Sequence, residues 1–326
     1  MKKCFLSIAS LALYCAVVTL SASGALALNY PNKPIRIIVP FSPGGPNDIR
    51  ARLVAEKLTE SWKQQVIVDN RPGADGAIGM ELAAKAAPDG YTIVLSPSGS
   101  LIVTPSLYTK LRYDPVRDFA PITQLTNSAI IMMVNPALPV RSVKELIALA
   151  KAKPGQLNYA TPSSPFYLVG EMFKVRAGVD IAYIPYKGSA PSMTALISGE
   201  VAVMFDTPLM SLPHVKAGRA RAIAICSPKR SAAMADVPTM TEGGLPGFEA
   251  GVFSVVLAPA KTPPEIVQKL NVEIVRILHM PAVQHRLTSI GDDIVGSKPA
   301  ELSAHIKAEL EKYAKVIKAA GIPRIE

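Results

Sequence analysis

Residues 41–48 are the first place in the sequence where residue types and spacing could bind an anion. Gly44 and Gly45 follow a β-branched run at residues 35–39 and precede Asp48, which opens an amphipathic segment. Glycine leaves backbone N–H groups uncovered, and a following helix adds about half a positive charge at its N-terminus. The same residues are also typical of a plain strand-to-helix turn, so both interpretations stay open at this point.

Three more predicted strand ends carry polar turns that could face this loop. They lie at residues 96–100, 161–164 and 205–207. Asp206 is the one acid placed like a site residue, although a lone carboxylate is as often a helix N-cap. Because open α/β sheets bind ligands at the carboxyl ends of their strands, the four turns together predict a binding cleft.

Patterns typical of catalysis or metal binding are missing from the sequence. The four histidines include no i, i+4 pair of the kind found in helical zinc sites. There is no Gly-x-Ser-x-Gly elbow, no Walker loop and no Gly-x-Gly-x-x-Gly after a strand. Cys226 ends an apolar strand and is expected to pack as a small hydrophobic residue. We therefore predict that the protein is not an enzyme and uses no metal or cofactor.

The elements that position these residues alternate between strand and helix. Strands are predicted near residues 35–39, 66–68, 91–95, 130–134, 157–160, 181–184, 201–205, 220–225 and 253–257. Helices are predicted between them, and the capping box Ser142-Val-Lys-Glu145 opens one. This alternation predicts an α/β fold with two lobes, each a mostly parallel sheet flanked by helices, and a ligand held between them.

The N-terminal segment predicts export. Lys2 and Lys3 precede an apolar stretch at residues 5–20, and Ala25-Leu-Ala27 is a small-x-small cleavage pattern. Residues 1–27 are therefore interpreted as a signal peptide cleaved near Ala27, which places the protein in the periplasm. Cys15 raises the alternative of a lipid anchor, but Tyr14 stands where a lipobox has a small residue.

Charge and cysteine usage exclude other classes. Of three cysteines only Cys226 lies beyond residue 27, so the exported chain has no internal disulfide and depends on core burial. The formal net charge of +10 is spread along amphipathic segments, with no basic run of five or six residues. That distribution is typical of a solvated surface, and we predict no nucleic-acid partner.

Several motifs, in order along the chain, resemble the Bug family. They are Tyr30-Pro-x-x-Pro-Ile-Arg-Ile-Ile-Val-Pro-Phe-x-Pro-Gly-Gly45, Val68-Asp-Asn-Arg-Pro-Gly73, Ala86-Ala-Pro-Asp-Gly-Tyr-Thr92, Tyr113-Asp-Pro-Val-Arg-Asp-Phe119, Ile184-Pro-Tyr-Lys-Gly188 and Val237-Pro-Thr239. Members of this family are extracytoplasmic solute-binding receptors linked to tripartite tricarboxylate transporters. The resemblance covers essentially the whole chain beyond the signal peptide.

The resemblance implies a two-lobed, Venus-flytrap receptor that captures a small carboxylate without metal or cofactor. It implies a discontinuous first lobe of residues 28–127 and 252–326, and a second lobe of residues 128–251. It also implies a monomer that passes its ligand to transporter permease subunits. The corresponding ligand-binding positions are Phe41, Ser42, Pro43, Gly44, Gly45, Asn47, Asp48, Ser98, Ala160, Thr161, Ser163, Ser164, Pro165, Phe205 and Asp206.

Two departures from the family pattern predict an altered ligand preference. Pro46-Asn47 stands in the first loop where the family often has glycine followed by threonine or serine. Residues 161–165 contain no glycine, and the loop looks about two residues shorter than the family's Ser-x-Gly-x-Gly-Ser pattern. Hydroxyl groups there could replace missing amides, and Phe166 or Tyr167 could pack against the ligand. An aromatic or short carboxylate is therefore expected.

Three functional hypotheses follow. The first is a receptor that delivers a carboxylate to a permease, the ligand being a di- or tricarboxylate, an acidic amino acid or an aromatic acid. The alternative is a receptor of the same fold for a periplasmic sensor kinase, in which case transport survives deletion of the protein. The third is an enzyme, which requires a nucleophile or general base that the sequence does not display.

Overall fold

The computed structural model describes residues 29–186, 188–319, 321, 322 and 324. The predicted signal peptide lies outside these residues. The fold is α/β, with two mixed sheets that are each flanked by helices. None of the helices in the described ranges combines the length and apolar character needed to span a membrane.

Eleven strands are present in the described part of the chain. They are β1 (Ile35–Val39), β2 (Val66–Asn70), β3 (Thr92–Pro97), β4 (Phe119–Ala129), β5 (Ile131–Val134), β6 (Asn158–Thr161), β7 (Ala182–Pro185), β8 (Val203–Asp206), β9 (Arg221–Ile225), β10 (Gly251–Pro259) and β11 (Asp292–Ile294).

Ten α-helices accompany them over the same described ranges. They are α1 (Pro46–Trp62), α2 (Ala77–Ala84), α3 (Thr104–Leu107), α4 (Val143–Ala152), α5 (Ser164–Ala177), α6 (Ser189–Ser198), α7 (Pro208–Lys216), α8 (Pro264–Leu278), α9 (Pro281–Ser289) and α10 (Pro299–Ala319). A π-helical turn occupies Gly99–Val103, and short 3-10 segments occupy Ala74–Gly76 and Ala232–Met234.

Each sheet defines one lobe. The first lobe is built on the order β11-β4-β10-β3-β1-β2, and the second on β7-β6-β8-β5-β9. β1 pairs in parallel with β2 and β3, and β6 pairs in parallel with β7 and β8. The other pairs are antiparallel. The sheets are therefore mixed, where mostly parallel sheets were predicted, because β10 and β11 run against the other strands of the first sheet and β5 runs against the other strands of the second.

The chain crosses between the lobes at two adjacent places. It leaves the first sheet after β4 and enters the second at β5, with Ile130 between them, and it returns to the first sheet at β10. The Cys226 amide donates to the Ile130 carbonyl at 2.8 Å, and the Ala250 amide donates to the Cys226 carbonyl at 2.6 Å. Cys226 is free and fully buried, as expected of a packed hydrophobic residue.

The cores follow from strand alternation. Ile35, Ile37 and Val39 of β1 pack in one cluster with α1 and α8, whereas Ile38 packs in a second cluster on the opposite face of the sheet. The second sheet likewise has one apolar cluster on each face. Both sheets are thus covered on two sides, so their strand ends remain as the edges where polar residues collect.

Helix starts agree with local sequence rules. In α4 the Ser142 hydroxyl accepts a hydrogen bond from the Glu145 amide at 3.2 Å, which confirms the predicted capping box. Helix α1 begins at Pro46 and not at Asp48, because proline is favoured at the first helical position, where no N–H is needed. Asp48 therefore lies within the first turn of α1.

Candidate ligand-binding site

The first-lobe loop leads from β1 into the N-terminus of α1. Asp48 is 3% exposed, and its Oδ2 accepts hydrogen bonds from the Gly44 amide at 2.9 Å and from Arg52 Nε at 2.8 Å. Burial alone raises the pKa of Asp48, but these hydrogen bonds outweigh it and hold the pKa below the ordinary value of 3.8. Asp48 is thus a stable anion that folds the loop back onto the helix.

This arrangement changes which amides are available to a ligand. The Gly44 amide, predicted to be free, is already bonded to Asp48. The first bond of α1 joins the Ile49 amide to the Gly45 carbonyl at 3.1 Å, so the amides of Asn47 and Asp48 lie ahead of it. These two N–H groups and that of Gly45 form the positive end of α1. Gly44 instead supplies a positive φ of 80° that turns the chain.

The second-lobe loop leads from β6 into α5. Thr161 is fully buried at the end of β6, and its hydroxyl has no hydrogen-bond partner among the described residues. Ser163 stands at the N-cap in extended conformation, but its side chain makes no capping hydrogen bond. The loop thus offers hydroxyl groups at a helix N-terminus, as the absence of glycine suggested.

Asp206 ends β8, the neighbour of β6. It is 1% exposed, and its Oδ1 accepts the Thr207 amide at 2.7 Å. Its Oδ2 has no partner at hydrogen-bond geometry among the described residues. Burial raises the pKa of Asp206 to about 6, and the nearby Ser189 hydroxyl and the hydrogen bonds from Thr207 only partly oppose this rise. Asp206 therefore titrates in mildly acidic solution.

Contacts between the lobes bring these loops together. A Cβ on Gly99 would lie 2.9 Å from the Pro165 ring, so the turn after β3 meets the start of α5 closely. The Ser164 hydroxyl donates to Asp75 of the first lobe, which also accepts from Tyr108. Asp75 has a φ of 50°, a left-handed value that is uncommon for a non-glycine residue. The lobes are thus closed on one another at this face.

A second pair of contacts closes the same face from the side of α7. A Cβ on Gly291 would lie 2.3 Å from the Pro208 side chain, which begins α7 directly after the Asp206 loop. Leu209 packs against the apolar cluster of the first lobe. Helices α5 and α7 therefore both direct their N-termini toward the first lobe.

Ser98 connects the first-lobe loop to these contacts. The Ser98 hydroxyl accepts a hydrogen bond from the Phe253 amide at 3.3 Å. Ser254, which follows Phe253 in β10, donates its hydroxyl to Asn47 Oδ1 at 2.8 Å. Asn47 and Ser98 therefore flank the same segment of β10. Because Gly99 follows Ser98 and contacts Pro165, the predicted positions on both lobes lie along one connected surface.

Several predicted residues take other places. Ser42, Pro43 and Gly44 are exposed, and Phe41 is half-buried with its carbonyl accepting a hydrogen bond from the Asn70 side chain at 3.0 Å. Their contact with a ligand remains a prediction.

Two aromatic side chains and one alanine belong to the second-lobe core. Phe205 packs between Tyr159 and Phe173, and Ala160 lies in the cluster on the other face. Only the backbone of Phe205 is left for a ligand. Phe166, expected to pack against the ligand, is also a core residue. Tyr167 packs against Tyr183, with ring centroids 4.6 Å apart.

Two charged residues near the site were not among the predicted positions. Arg50 is 4% exposed and pairs with Asp292, and Asp75 makes the contact with Ser164. Arginine is almost never fully buried without a partner, but the partner of Arg50 is 242 positions away in the chain. No local pattern in the sequence could indicate that pair.

The geometry can be compared with known proteins. A family model described as the tripartite tricarboxylate transporter family receptor matches residues 50–322. BugT of Bordetella pertussis is 38% identical over 303 residues, which cover 92% of this chain and 93% of that protein. Both of these similarities extend over most of the described fold.

Two solved structures are similar along nearly their whole length. A Rhodopseudomonas palustris protein solved with adipate has a TM-score of 0.86 at 35% identity, covering 91% of this chain and 100% of that one. MatC from Rhodopseudomonas palustris, with bound malate, has a TM-score of 0.81 at 30% identity, covering 88% and 100%. The chain therefore belongs to the tripartite tricarboxylate transporter receptor family, whose members are periplasmic solute-binding proteins.

Proposed function

We propose that this protein captures a small carboxylate between its two lobes in the periplasm and delivers it to a tripartite tricarboxylate permease. It acts as a monomer and releases its ligand unchanged. The lobes in this proposal are residues 28–127 with 252–326, and residues 128–251. The two relatives solved with adipate and malate support a dicarboxylate as the first ligand class to test.

One observation supports this proposal above the others. Buried polar atoms without a hydrogen-bond partner among the described residues occur on both sides of the closed face: Asp48 Oδ1 on the first lobe, and Thr161 Oγ1 and Asp206 Oδ2 on the second. Burying an unsatisfied polar atom costs about 1–3 kcal/mol, so a ligand that bonds these three atoms recovers part of that cost. Free helix amides accompany them on the first lobe.

The chemistry of the site favours a ligand with both acceptors and donors. The N-terminus of α1 offers N–H donors and a positive partial charge, which suits one carboxylate. Asp206 offers an acceptor when ionised and an O–H donor when protonated. The Asp206 carboxyl can be satisfied by a ligand hydroxyl, by an ordered water, or by a second carboxylate that shares its proton. Malate carries two carboxylates and a hydroxyl, so it offers acceptors to the α1 amides and a donor to Asp206.

Thermal denaturation tests the proposal. The protein is unfolded and refolded to strip bound ligand, then melted against mono-, di- and tricarboxylic, amino and aromatic acids. Binding to the native state alone stabilises by mass action, about 2.7 kcal/mol at a hundredfold excess over Kd, so a true ligand raises Tm by several degrees. The matched control is Gly45→Val, which removes access to the α1 amides. An equal rise in that variant, or no rise for any acid, contradicts the proposal.

Delivery is tested separately in cells. Deletion of the gene abolishes uptake of the identified acid if the protein serves a permease. Uptake that survives deletion, with loss of a transcriptional response to the same acid, indicates the sensing alternative.

A further inference from the structure

We propose that Arg50 is a positioning residue for the ligand loop, because its buried pair with Asp292 holds the Asn47 side-chain oxygen inward and leaves the Asn47 N–H₂ group for the ligand. This inference rests on the proposed function and names a residue that determines the affinity of that same site.

The guanidinium of Arg50 is at the centre of a buried polar network. Its Nε donates to Asp292 Oδ2 at 2.7 Å, and its Nη2 donates to Asp292 Oδ1 and, at 2.9 Å, to the Ser128 hydroxyl. Its Nη1 donates to the Ser254 hydroxyl at 3.2 Å and to Asn47 Oδ1 at 3.4 Å. The side chains of Arg50 and Asp292 are 5% and 1% exposed. Every nitrogen of the guanidinium therefore has an acceptor inside the first lobe.

The network fixes the orientation of Asn47. Asn47 Oδ1 accepts hydrogen bonds from both Arg50 and Ser254. A guanidinium has no acceptor, so the opposite orientation of the amide would place two donors against each other. The Nδ2 of Asn47 makes no hydrogen bond to any described residue. It belongs to the second residue of α1, beside the free amides of the helix N-terminus.

The same network lies where the chain crosses between lobes. Ser128 is near the end of β4, Ser254 is near the start of β10, and Asp292 pairs with Ser128 in the sheet. Gly291, next to Asp292, meets Pro208 at the start of α7. Arg50 thus connects the ligand loop of the first lobe to the crossing strands and to the contact that closes the second lobe.

Stability alone does not explain a buried ion pair of this kind. Two charges lose their hydration on burial, and well-packed apolar residues of similar volume are often as stabilising or more so. What the pair provides is a fixed geometry: a planar guanidinium has donors in set directions, and here it orders four partners at once.

The test is a double-mutant cycle on the full protein, with malate and adipate as probes in isothermal titration calorimetry. Arg50→Met alone leaves Asp292 buried and unpaired, so the main variant is Arg50→Met with Asp292→Asn, which leaves no buried charge. We expect a Tm within a few degrees of wild type and a Kd weakened about tenfold or more. In an Asn47→Ala background the same pair of substitutions changes Kd by less than about twofold.

Arg276→Met is the matched control, because Arg276 pairs with Glu273 on the surface of α8, and it leaves Kd unchanged. Unchanged Kd in the double variant overturns the proposal. An equal loss of affinity in the wild-type and Asn47→Ala backgrounds also overturns it, because the effect of Arg50 then does not act through Asn47.

Failure of the proposed function gives a different result. If neither probe binds wild type, the dicarboxylate assignment fails, and crystal structures of the ligand-free wild type and double variant decide the positioning role. A rotated Asn47 amide in the variant supports it, and an unchanged amide overturns it.

Discussion

Asp48 in the first lobe and Asp206 in the second are both buried carboxyl groups beside the start of a helix, yet their surroundings are opposite. Each has one oxygen without a hydrogen-bond partner among the described residues, but Arg52 and the Gly44 amide bind the other oxygen of Asp48 and its pKa is lowered, whereas burial raises the pKa of Asp206 to about 6. Burial is common to both, so hydrogen-bonded partners decide which carboxylate stays ionised.

This difference assigns a role to each side of the proposed cleft. Asp48 Oδ2 is hydrogen-bonded within its own loop, and we propose that the α1 amides beside it bind the ligand carboxylate. Asp206 Oδ2 has no hydrogen-bond partner among the described residues and can exchange a proton or a hydrogen bond with a ligand. In the proposed function, Asp48 orders its own loop on one lobe and Asp206 contacts the ligand from the other.

The largest expected effect separates the two glycines of the first loop. Gly45→Val abolishes binding, at least a hundredfold in Kd, because a side chain then covers the α1 amides. Its backbone is extended, and a Cβ would meet only the Ser42 carbonyl at 3.6 Å, so Tm changes little. Gly44→Ala instead costs about 1–2 kcal/mol of stability because of its positive φ. Calorimetry and thermal melts measure both. A loss of stability without loss of affinity in Gly45→Val, together with a loss of affinity without loss of stability in Gly44→Ala, would contradict these roles.

Asp206→Asn should stabilise the ligand-free protein at neutral pH. The folded pKa lies above the unfolded value of 3.8, so wild-type stability falls as pH rises from about 4 to 6. Asparagine keeps the oxygen that accepts the Thr207 amide and removes the buried charge. We expect a gain on the order of 2 kcal/mol above pH 6 that vanishes below pH 4. Urea denaturation across this pH range measures the difference in unfolding free energy between variant and wild type. A difference that does not change with pH would show that the pKa of Asp206 is not raised.

The same variant separates ligand classes. For a dicarboxylate, Asp206→Asn changes Kd by only a few fold, because asparagine still offers a donor and an acceptor. For an amino acid whose ammonium faces Asp206, the loss is about a hundredfold, since a charged hydrogen bond is removed. Titration of malate and aspartate into both proteins distinguishes the two cases. A hundredfold loss for malate would contradict the dicarboxylate assignment.

Asp48→Asn should have the opposite pH dependence. The stabilisation from the ionised group is complete above the unfolded pKa of about 4 and is lost as pH falls through the lowered folded pKa. We expect a loss of about 1–2 kcal/mol at pH 7, because Arg52 loses its partner, and a much smaller difference once the pH falls below the lowered pKa of Asp48. Denaturation curves for both Asp variants at matched pH test whether the slopes differ in sign. Parallel slopes would remove the contrast between the lobes.

The smallest effect concerns the contact between Ser164 and Asp75. Ser164→Ala removes a hydrogen bond that exists only when the lobes are closed, so we expect a loss of affinity of a few fold with unchanged Tm. Ser61→Ala, on the surface of α1, is the control. Small-angle scattering of the ligand-free protein should show a larger radius of gyration for Ser164→Ala than for wild type. A smaller or equal radius argues that this contact does not hold the lobes.

Local sequence rules predicted the β1 strand, the turn and the α1 helix, because a β-branched run, two glycines and a proline act over a few residues. They did not predict β4, whose Thr123, Gln124 and Thr126 are polar but buried. A long-range contact satisfies Thr123, because its hydroxyl donates to the Ser297 carbonyl, 174 positions away.

The candidate site divides in the same way. The glycine loop and Asp206 stand out locally, since each follows a recognisable strand. The hydrogen bond from the Gly44 amide to Asp48 depends on the path of the turn, and the pairing of Arg50 with Asp292 depends on the position of β11 beside β4, so neither could be predicted from local sequence. The proposed site therefore depends on contacts that only the folded chain creates.

The most direct measurement is a crystal structure of the protein with the tightest acid from the thermal panel. We expect one ligand carboxylate at about 2.7–3.2 Å from the amides of Asn47 and Asp48, and a donor from ligand or water on Asp206 Oδ2. A carboxylate bound away from the N-terminus of α1, with Asp206 Oδ2 still unpaired, would contradict this expectation.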